Sequence, residues 1–112
     1  LKTSHVLKKI INYIWTFKKK YEHEPNILCL GLSYKENSDD LRGSPSFFIF
    51  KKLKIKFKGV TSFDPNIDVN LSKEEIYNLF FKANIIIKLV NHKEFNKEPF
   101  KKLINKKNVL KF

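Results

Sequence analysis

The sequence has 112 residues but no methionine, and cysteine, arginine and alanine each occur once, as Cys29, Arg42 and Ala83. Because residue 1 is Leu1 rather than methionine, we expect the chain to be a piece of a longer protein. A single cysteine cannot form an internal disulfide, which excludes a disulfide-stabilised secreted fold and fits a reducing compartment. We therefore expect a cytoplasmic protein.

Long apolar runs are also missing. No run approaches the ~20 residues that a membrane-spanning helix needs. Residues 1–21 contain too many lysines for the apolar core of a signal peptide. We expect a single soluble domain, large enough to form a core without disulfides or metal, and no membrane partner.

The formal net charge is +12, yet Arg42 is the only arginine among 23 basic residues. Arginine is the residue that reads guanine edges and grips phosphates with two hydrogen bonds, so a nearly arginine-free chain is a poor nucleic-acid binder. Abundant Lys, Asn, Ile and Phe with scarce Ala are typical of an AT-rich genome. The lysine runs 18–20 and 51–52 are then solvated faces, and we expect no nucleic-acid partner.

Apolar periodicity predicts alternating helices and strands. A stripe at helical spacing within residues 4–21 predicts a long amphipathic helix, ended before Pro25. The apolar run at residues 27–32 is typical of a central parallel strand. Further strands are predicted at 60–63, 84–90 and 109–110, and further helices at 44–57, 72–82 and 99–104.

Local signals support several of these boundaries. Ser72 followed three residues later by Glu75 predicts a capping box, and Gly59 fits a left-handed cap position. Strands alternating with helices predict an α/β fold, a Rossmann-like three-layer domain with a parallel sheet, preceded by one long helix. We assign residues 1–24 to the end of a connecting helix and residues 25–112 to the domain itself.

The segment between residues 31 and 45 is the candidate ligand site. It follows a predicted strand and ends where Pro45 opens a helix, whose free amides favour phosphate. Tyr34 offers a flat ring, Lys35 a mobile charge and Arg42 a planar fork for a diphosphate or carboxylate. No Gly-x-Gly-x-x-Gly or Walker sequence is present. A plain solvated loop with Asp40 paired to Arg42 remains open.

Metal chemistry receives little support. Asp39 and Asp40 lack a third ligand at useful spacing, and we expect them to cap the loop or pair with cations. No ligand spacing connects the three histidines, His5, His23 and His92. We expect no metal site.

Two further residues have open interpretations. Cys29 lies inside an apolar strand and is predicted to be an inert core residue, because a reactive thiolate needs an exposed, electropositive setting. Asp64 follows the second strand, where dinucleotide-binding folds often hold a ribose hydroxyl. With Pro65 beside it, a turn-forming role for Asp64 is equally open.

A series of motifs closely resembles the C-terminal, UDP-binding domain of the UDP-glucose/GDP-mannose dehydrogenase family. The resemblance covers residues 27–95. It rests on Gly31-Leu32-Ser33-Tyr34-Lys35, Asp39-Asp40-Leu41-Arg42, Ser44-Pro45, Phe63-Asp64-Pro65 and Asn91-His92-Lys93-Glu94-Phe95.

The resemblance implies an oxidoreductase that converts the C6 alcohol of a nucleotide sugar to a carboxylate in two NAD-dependent steps. Members of the family bind NAD in an N-terminal domain, form a homodimer through a central domain that carries the catalytic Cys and Lys, and hold the substrate nucleotide in the C-terminal domain. By this resemblance Tyr34 and Lys35 contact the UDP-sugar, and Arg42 reaches toward NAD.

The implied substrate is UDP-glucose or a UDP-N-acetylhexosamine, oxidised to the uronic acid for polysaccharide biosynthesis. The chain lacks the catalytic Cys and the NAD domain, so it is expected to be inactive without the rest of the dehydrogenase chain. Three alternatives stay open: a GDP-mannose 6-dehydrogenase domain, a basic nucleic-acid-binding domain, and an inactive remnant.

This sequence departs from the family pattern in three places. Cys29 does not match the catalytic cysteine. Gly43 stands where members commonly have Glu, which is expected to loosen the loop. Lys111 and Phe112 stand where an Asp-x-Arg type segment normally contributes to the nucleotide pocket, so we expect an incomplete site.

Overall fold

In the computed structural model the described residues are 3–32 and 45–111, the last four by their backbone alone. Helices and strands alternate along this part of the chain, as the periodicity predicts. In chain order the elements are α1 (Thr3–Tyr21), β1 (Ile27–Leu30), α2 (Pro45–Lys56), β2 (Val60–Phe63), α3 (Lys73–Lys82), β3 (Ile85–Lys88), a 3-10 helix (Lys93–Asn96), α4 (Phe100–Asn105) and β4 (Asn108–Lys111).

The four strands form one parallel sheet in the order β2-β1-β3-β4. β1 is central, and its Ile27 is in register with Val60 of β2 and Ile85 of β3. All four residues of β1 are buried, as expected for a strand covered on both faces. The predicted parallel α/β sheet is confirmed.

Helices cover both faces of the sheet, which gives the predicted three layers. Successive side chains of β1 point to opposite faces, so Cys29 joins the core beneath α1 and α2, and Leu28 joins the core beneath α3 and α4. Ile10 and Ile14 of α1 are fully buried in the first core. The long first helix therefore packs on the sheet itself.

The second core is built around four phenylalanines. Phe63 of β2 lies 5.6 Å from Phe100, 6.2 Å from Phe80 and 6.4 Å from Phe95, measured between ring centres. Such offset and edge contacts add to the burial energy of the rings. This aromatic core holds α3, α4 and the 3-10 helix against one face of the sheet.

Local chemistry explains several boundaries. The capping box is present: the Glu75 N–H donates to Ser72 Oγ, and the Ser72 N–H donates to Glu75 Oε1. The left-handed cap predicted at Gly59 is wrong, because of the two glycines that the structure describes only Gly31 has a positive φ. Gly59 is small for another reason: a Cβ there would lie 2.9 Å from the Pro25 carbonyl oxygen.

Two strands are shorter than predicted. β1 ends at Leu30 rather than at residue 32, because Gly31 turns the chain with φ +87°. β3 spans Ile85–Lys88 rather than residues 84–90. Within the described ranges, no helix has the length and apolar character needed to cross a bilayer.

Candidate functional site

The candidate site lies at the edge of the sheet where β1, β2 and β3 end, called here the carboxyl edge. In the strand order, β2 and β3 flank β1, so the residues that follow these three strands become neighbours. Leu32 follows β1, Asp64 follows β2 and His92 follows β3. In open parallel sheets, ligands bind beyond this edge.

Asp64 connects the three strand ends. Its carboxylate is completely buried. Oδ2 accepts a hydrogen bond from the Leu32 N–H at 2.7 Å, and Oδ1 accepts one from the Asn66 N–H at 2.8 Å. The backbone N–H of Asp64 in turn donates to Asp68 Oδ2 at 2.9 Å. A buried carboxylate needs such donors, because burying a charge without them is costly.

His92 completes this network from the third strand end. Its Nε2 lies 3.1 Å from Asp64 Oδ2, and its Nδ1 lies 3.5 Å from Asn66 Nδ2. The carboxylate oxygen can only accept, and the amide nitrogen can only donate. The tautomer that satisfies both neighbours is therefore a neutral imidazole with its proton on Nε2.

Gly31 brings the strand ends close together. Its N–H donates to the Phe63 carbonyl at 2.9 Å, and a Cβ at this position would lie 2.6 Å from Val90 Cβ. Leu30 O accepts hydrogen bonds from the N–H groups of Leu89 and Val90. Only glycine meets both demands, a left-handed φ and this close approach.

One of these contacts fixes the chain at the start of the candidate loop. Leu32 is held by Asp64 at the start, and α2 begins at Pro45 at the end. The predicted site residues Tyr34, Lys35 and Arg42 lie outside the described residues, and so do Asp39 and Asp40. Their roles stay predictions.

The sequence places His92 and Asp64 in two separate motifs, at residues 91–95 and 63–65, and does not reveal that they are partners. It assigns no role to Lys88. Lys88 ends β3 in register with Leu30 of β1, and its Nζ donates to Asn91 Oδ1 at 3.4 Å. A lysine that closes an otherwise apolar strand is the signal that could have identified it.

Of the two open interpretations of Asp64, the turn-forming one has structural support. The Asp64 carbonyl accepts hydrogen bonds from the N–H groups of Ile67 and Asp68, and its carboxylate is directed toward the protein interior. With no exposed surface, this carboxylate does not present itself to a ribose hydroxyl.

Cys29 behaves as predicted for an inert core residue. It is fully buried in β1, and burial raises the pKa of its thiol to about 12. A thiol with such a pKa stays protonated near neutral pH and is a poor nucleophile. In the described part of the chain, no cluster of three or more His, Cys, Asp or Glu side chains is arranged to hold a metal ion.

A separate groove runs along the free edge of β2. It has a volume of about 430 Å³ and lies between α2 and α3, where Lys54 and Glu75 stand on its walls. Neither residue belongs to the carboxyl edge. The groove is thus distinct from the candidate site.

Comparison with known proteins identifies the family to which this domain belongs. Residues 28–111 match the family model described as the UDP-glucose/GDP-mannose dehydrogenase family, UDP binding domain. A relative from Ralstonia solanacearum, NDP-N-acetyl-D-galactosaminuronic acid dehydrogenase, is 38% identical over 81 residues, which are 66% of this chain and 19% of the relative. The chain thus spans about a fifth of that relative's length.

Solved structures show the same fold. The UDP-D-ManNAc dehydrogenase from Pyrococcus horikoshii superposes with a TM-score of 0.68 at 20% identity, over 96% of this chain and 27% of that one. The UDP-N-acetyl-mannosamine dehydrogenase from Staphylococcus aureus superposes with a TM-score of 0.61 at 24% identity, over 85% of this chain and 22% of that one.

Proposed function

The chain belongs to the UDP-glucose/GDP-mannose dehydrogenase family, with the UDP-binding domain at residues 28–111, and we propose that it holds the nucleotide of a UDP-sugar substrate. The bound sugar would be oxidised at C6 to the uronic acid with NAD. The single observation that carries the proposal is the family match over this domain. Asp64 and His92 organise the carboxyl edge of the same domain.

The proposal assigns roles to three residues of the loop between Leu32 and Pro45. Tyr34 and Lys35 contact the UDP-sugar, the ring against the base or sugar and the ammonium group against phosphate. Arg42 reaches toward NAD, which is bound mainly by another domain. Support comes from the chemistry of the three side chains, an aromatic ring and two cations suited to a phosphate-rich ligand, and from the position of Leu32, whose N–H donates to Asp64 at the carboxyl edge.

The wider assignment follows the family. Residues 1–24 are the end of the central helix and residues 25–112 are the nucleotide-sugar-binding domain. The full-length protein is proposed to be a cytoplasmic homodimer in polysaccharide biosynthesis. The catalytic Cys and the NAD domain would lie in the rest of the dehydrogenase chain, so these 112 residues alone are expected to have no dehydrogenase activity.

For the sugar, we propose an N-acetylhexosamine ahead of glucose. The Ralstonia relative, which is 38% identical, has an N-acetylated sugar in its name. A GDP-mannose 6-dehydrogenase domain is the alternative, because the family includes that branch.

Isothermal titration calorimetry with UDP and GDP tests the proposal. UDP should bind. Lys35→Ala should lower the affinity for UDP about tenfold to a hundredfold, because it removes a charge-assisted hydrogen bond to phosphate. Lys101→Ala, an exposed lysine on α4, is the matched control and should bind normally. Preference for GDP would select the alternative branch. No binding of either nucleotide at millimolar concentration would contradict the proposal.

A further inference from the structure

The two helices on one face of the sheet carry charge of a single sign. α1 contains five lysines and α2 contains four, and neither helix contains Asp or Glu. The opposite layer mixes signs, with Glu74 and Glu75 in the first turn of α3 and Glu94 in the 3-10 helix. The outward surface of α1 and α2 is called here the lysine face.

Composition does not explain this asymmetry. A drift toward lysine codons adds lysines to every layer alike, and it does not remove acidic residues from one layer. All eleven Asp and Glu residues of the chain lie outside α1 and α2. Glu24, three residues after the end of α1, pairs with Lys18 at 2.7 Å, whereas within the two helices themselves all the charge is positive.

Apolar side chains project from the middle of the same surface. Phe48 is 46% exposed and Ile55 is 81% exposed, seven residues apart on α2 and therefore on one side of the helix. Ile49 and Leu53 occupy the opposite, buried side of α2. Lys52 places its Nζ 5.4 Å from the centre of the Phe48 ring.

Trp15 extends this pattern to α1. It is the only tryptophan and is 49% exposed. Its ring contacts Phe57, just beyond α2, edge-on with the ring centres 6.0 Å apart, and Lys18 Nζ lies 4.5 Å from its centre. Aromatic rings beside ammonium groups thus occur on both helices of the lysine face.

The chemistry of this surface selects among partners. Trp and Phe are enriched in protein interfaces but lysine is depleted from their centres, so the nine lysines of the two helices argue against a protein partner. Neither helix has an arginine to grip nucleic acid, and exposed Ile55 would gain nothing from a phosphate backbone. An anionic bilayer accepts both groups, because lysines meet lipid phosphates while aromatic and aliphatic side chains enter the headgroup boundary.

We propose that the lysine face adsorbs to an anionic lipid bilayer, with Trp15, Phe48 and Ile55 entering the headgroup region. Such adsorption needs no membrane-spanning helix. It revises the expectation, drawn from composition, that the protein has no membrane partner. It is also independent of the nucleotide site, which lies at the carboxyl edge.

Vesicle binding by the 112-residue chain tests the proposal. The chain should co-sediment with vesicles of phosphatidylcholine and phosphatidylglycerol, and Trp15 emission should shift to the blue. Binding to vesicles of phosphatidylcholine alone should be weaker by about tenfold or more, because each lysine near an anionic surface contributes attraction. Phe48→Ser with Ile55→Ser should reduce binding. Val69→Ser with Phe81→Ser, an apolar pair outside these helices that is even more exposed, should not.

Charge reversal supplies the second arm. Lys51→Glu with Lys52→Glu should weaken binding about tenfold or more, whereas Lys101→Glu with Lys102→Glu on α4 should leave it nearly unchanged. Far-ultraviolet circular dichroism checks that every variant is folded. Equal losses from both lysine pairs, or binding unaffected by the Phe48 and Ile55 changes, would overturn the proposal. The proposal would also be overturned if RNA displaced the chain from the vesicles and if RNA binding were unaffected by the Phe48 and Ile55 changes.

Discussion

His92 Nε2 lies 3.1 Å from the buried Oδ2 of Asp64, although 28 residues separate them in the chain. The same oxygen accepts from the Leu32 N–H, at the entrance to the proposed nucleotide loop. One carboxylate therefore joins three strand ends. Leu32, Asp64 and His92, which follow the three strands, are each at least nine-tenths buried.

Removing the Asp64 carboxylate should destabilise the fold. Asp64→Ala leaves the Leu32 N–H and the His92 Nε2–H without this acceptor, and we expect a loss of about 2–4 kcal/mol in the free energy of unfolding. Urea denaturation measures it. Asp68→Ala, which removes one acceptor from a partly buried N–H, should cost only about 1 kcal/mol. Equal effects of the two substitutions would show that Asp64 is not the centre of the network.

Gly31→Ala tests the tight turn after β1. The new Cβ would meet Val90 Cβ at 2.6 Å while the backbone keeps φ +87°, so strain and overpacking add. We expect a loss of about 3 kcal/mol or more in stability. Gly59→Ala meets crowding without a left-handed φ and should cost less. Thermal unfolding of both variants compares them, and a smaller loss at position 31 would contradict the account.

The capping box of α3 gives a milder prediction. Ser72→Ala removes the acceptor of the Glu75 N–H and should cost about 1 kcal/mol. Ser72→Asp keeps an acceptor oxygen at the cap and should retain most of the stability. Chemical denaturation of both variants checks this. A loss as large for Asp as for Ala would mean that the side-chain cap is not what stabilises this helix start.

The burial of the Cys29 thiol predicts that the stability of the fold depends on pH. Its pKa is raised from 9.0 to about 12 by burial, so the unfolded chain loses this proton at lower pH than the folded one. The contribution of the buried, protonated thiol to the free energy of unfolding is complete below pH 9 and is lost as the pH rises toward 12. The difference in unfolding free energy between the natural chain and Cys29→Ala should fall by about 1 kcal/mol from pH 9 to pH 10. An unchanged difference would contradict burial of the thiol.

Periodicity and cap chemistry were sufficient to predict most of the fold. The stripe that includes Ile10 and Ile14 lies on the sheet as expected, and Ser72 caps α3 as expected. The errors arise where contacts between residues distant in sequence determine the local structure. Gly59 was assigned a local conformational role, yet its size is set by Pro25, a residue distant in sequence.

The site was less accessible to sequence reasoning. Asp64 and His92 carry no common spacing motif, and they become neighbours only because β2 and β3 flank β1. Alternation of elements predicts a parallel sheet but not the order of its strands. Side-chain chemistry singles out Tyr34, Lys35 and Arg42 as candidate ligand contacts, but only the family resemblance assigns UDP-sugar to the first two and NAD to the third.

The central position of β1 also has a consequence for synthesis on the ribosome. Ile27 pairs with Val60 on one side and with Ile85 on the other, and the Asn26 N–H reaches Asn84 Oδ1 across 58 residues. A nascent chain that has just completed β2 therefore has an apolar strand with one open edge. Such an edge invites association between unfinished chains, and β3 in turn leaves its own edge open, so the vulnerable period ends only when β4 pairs with β3.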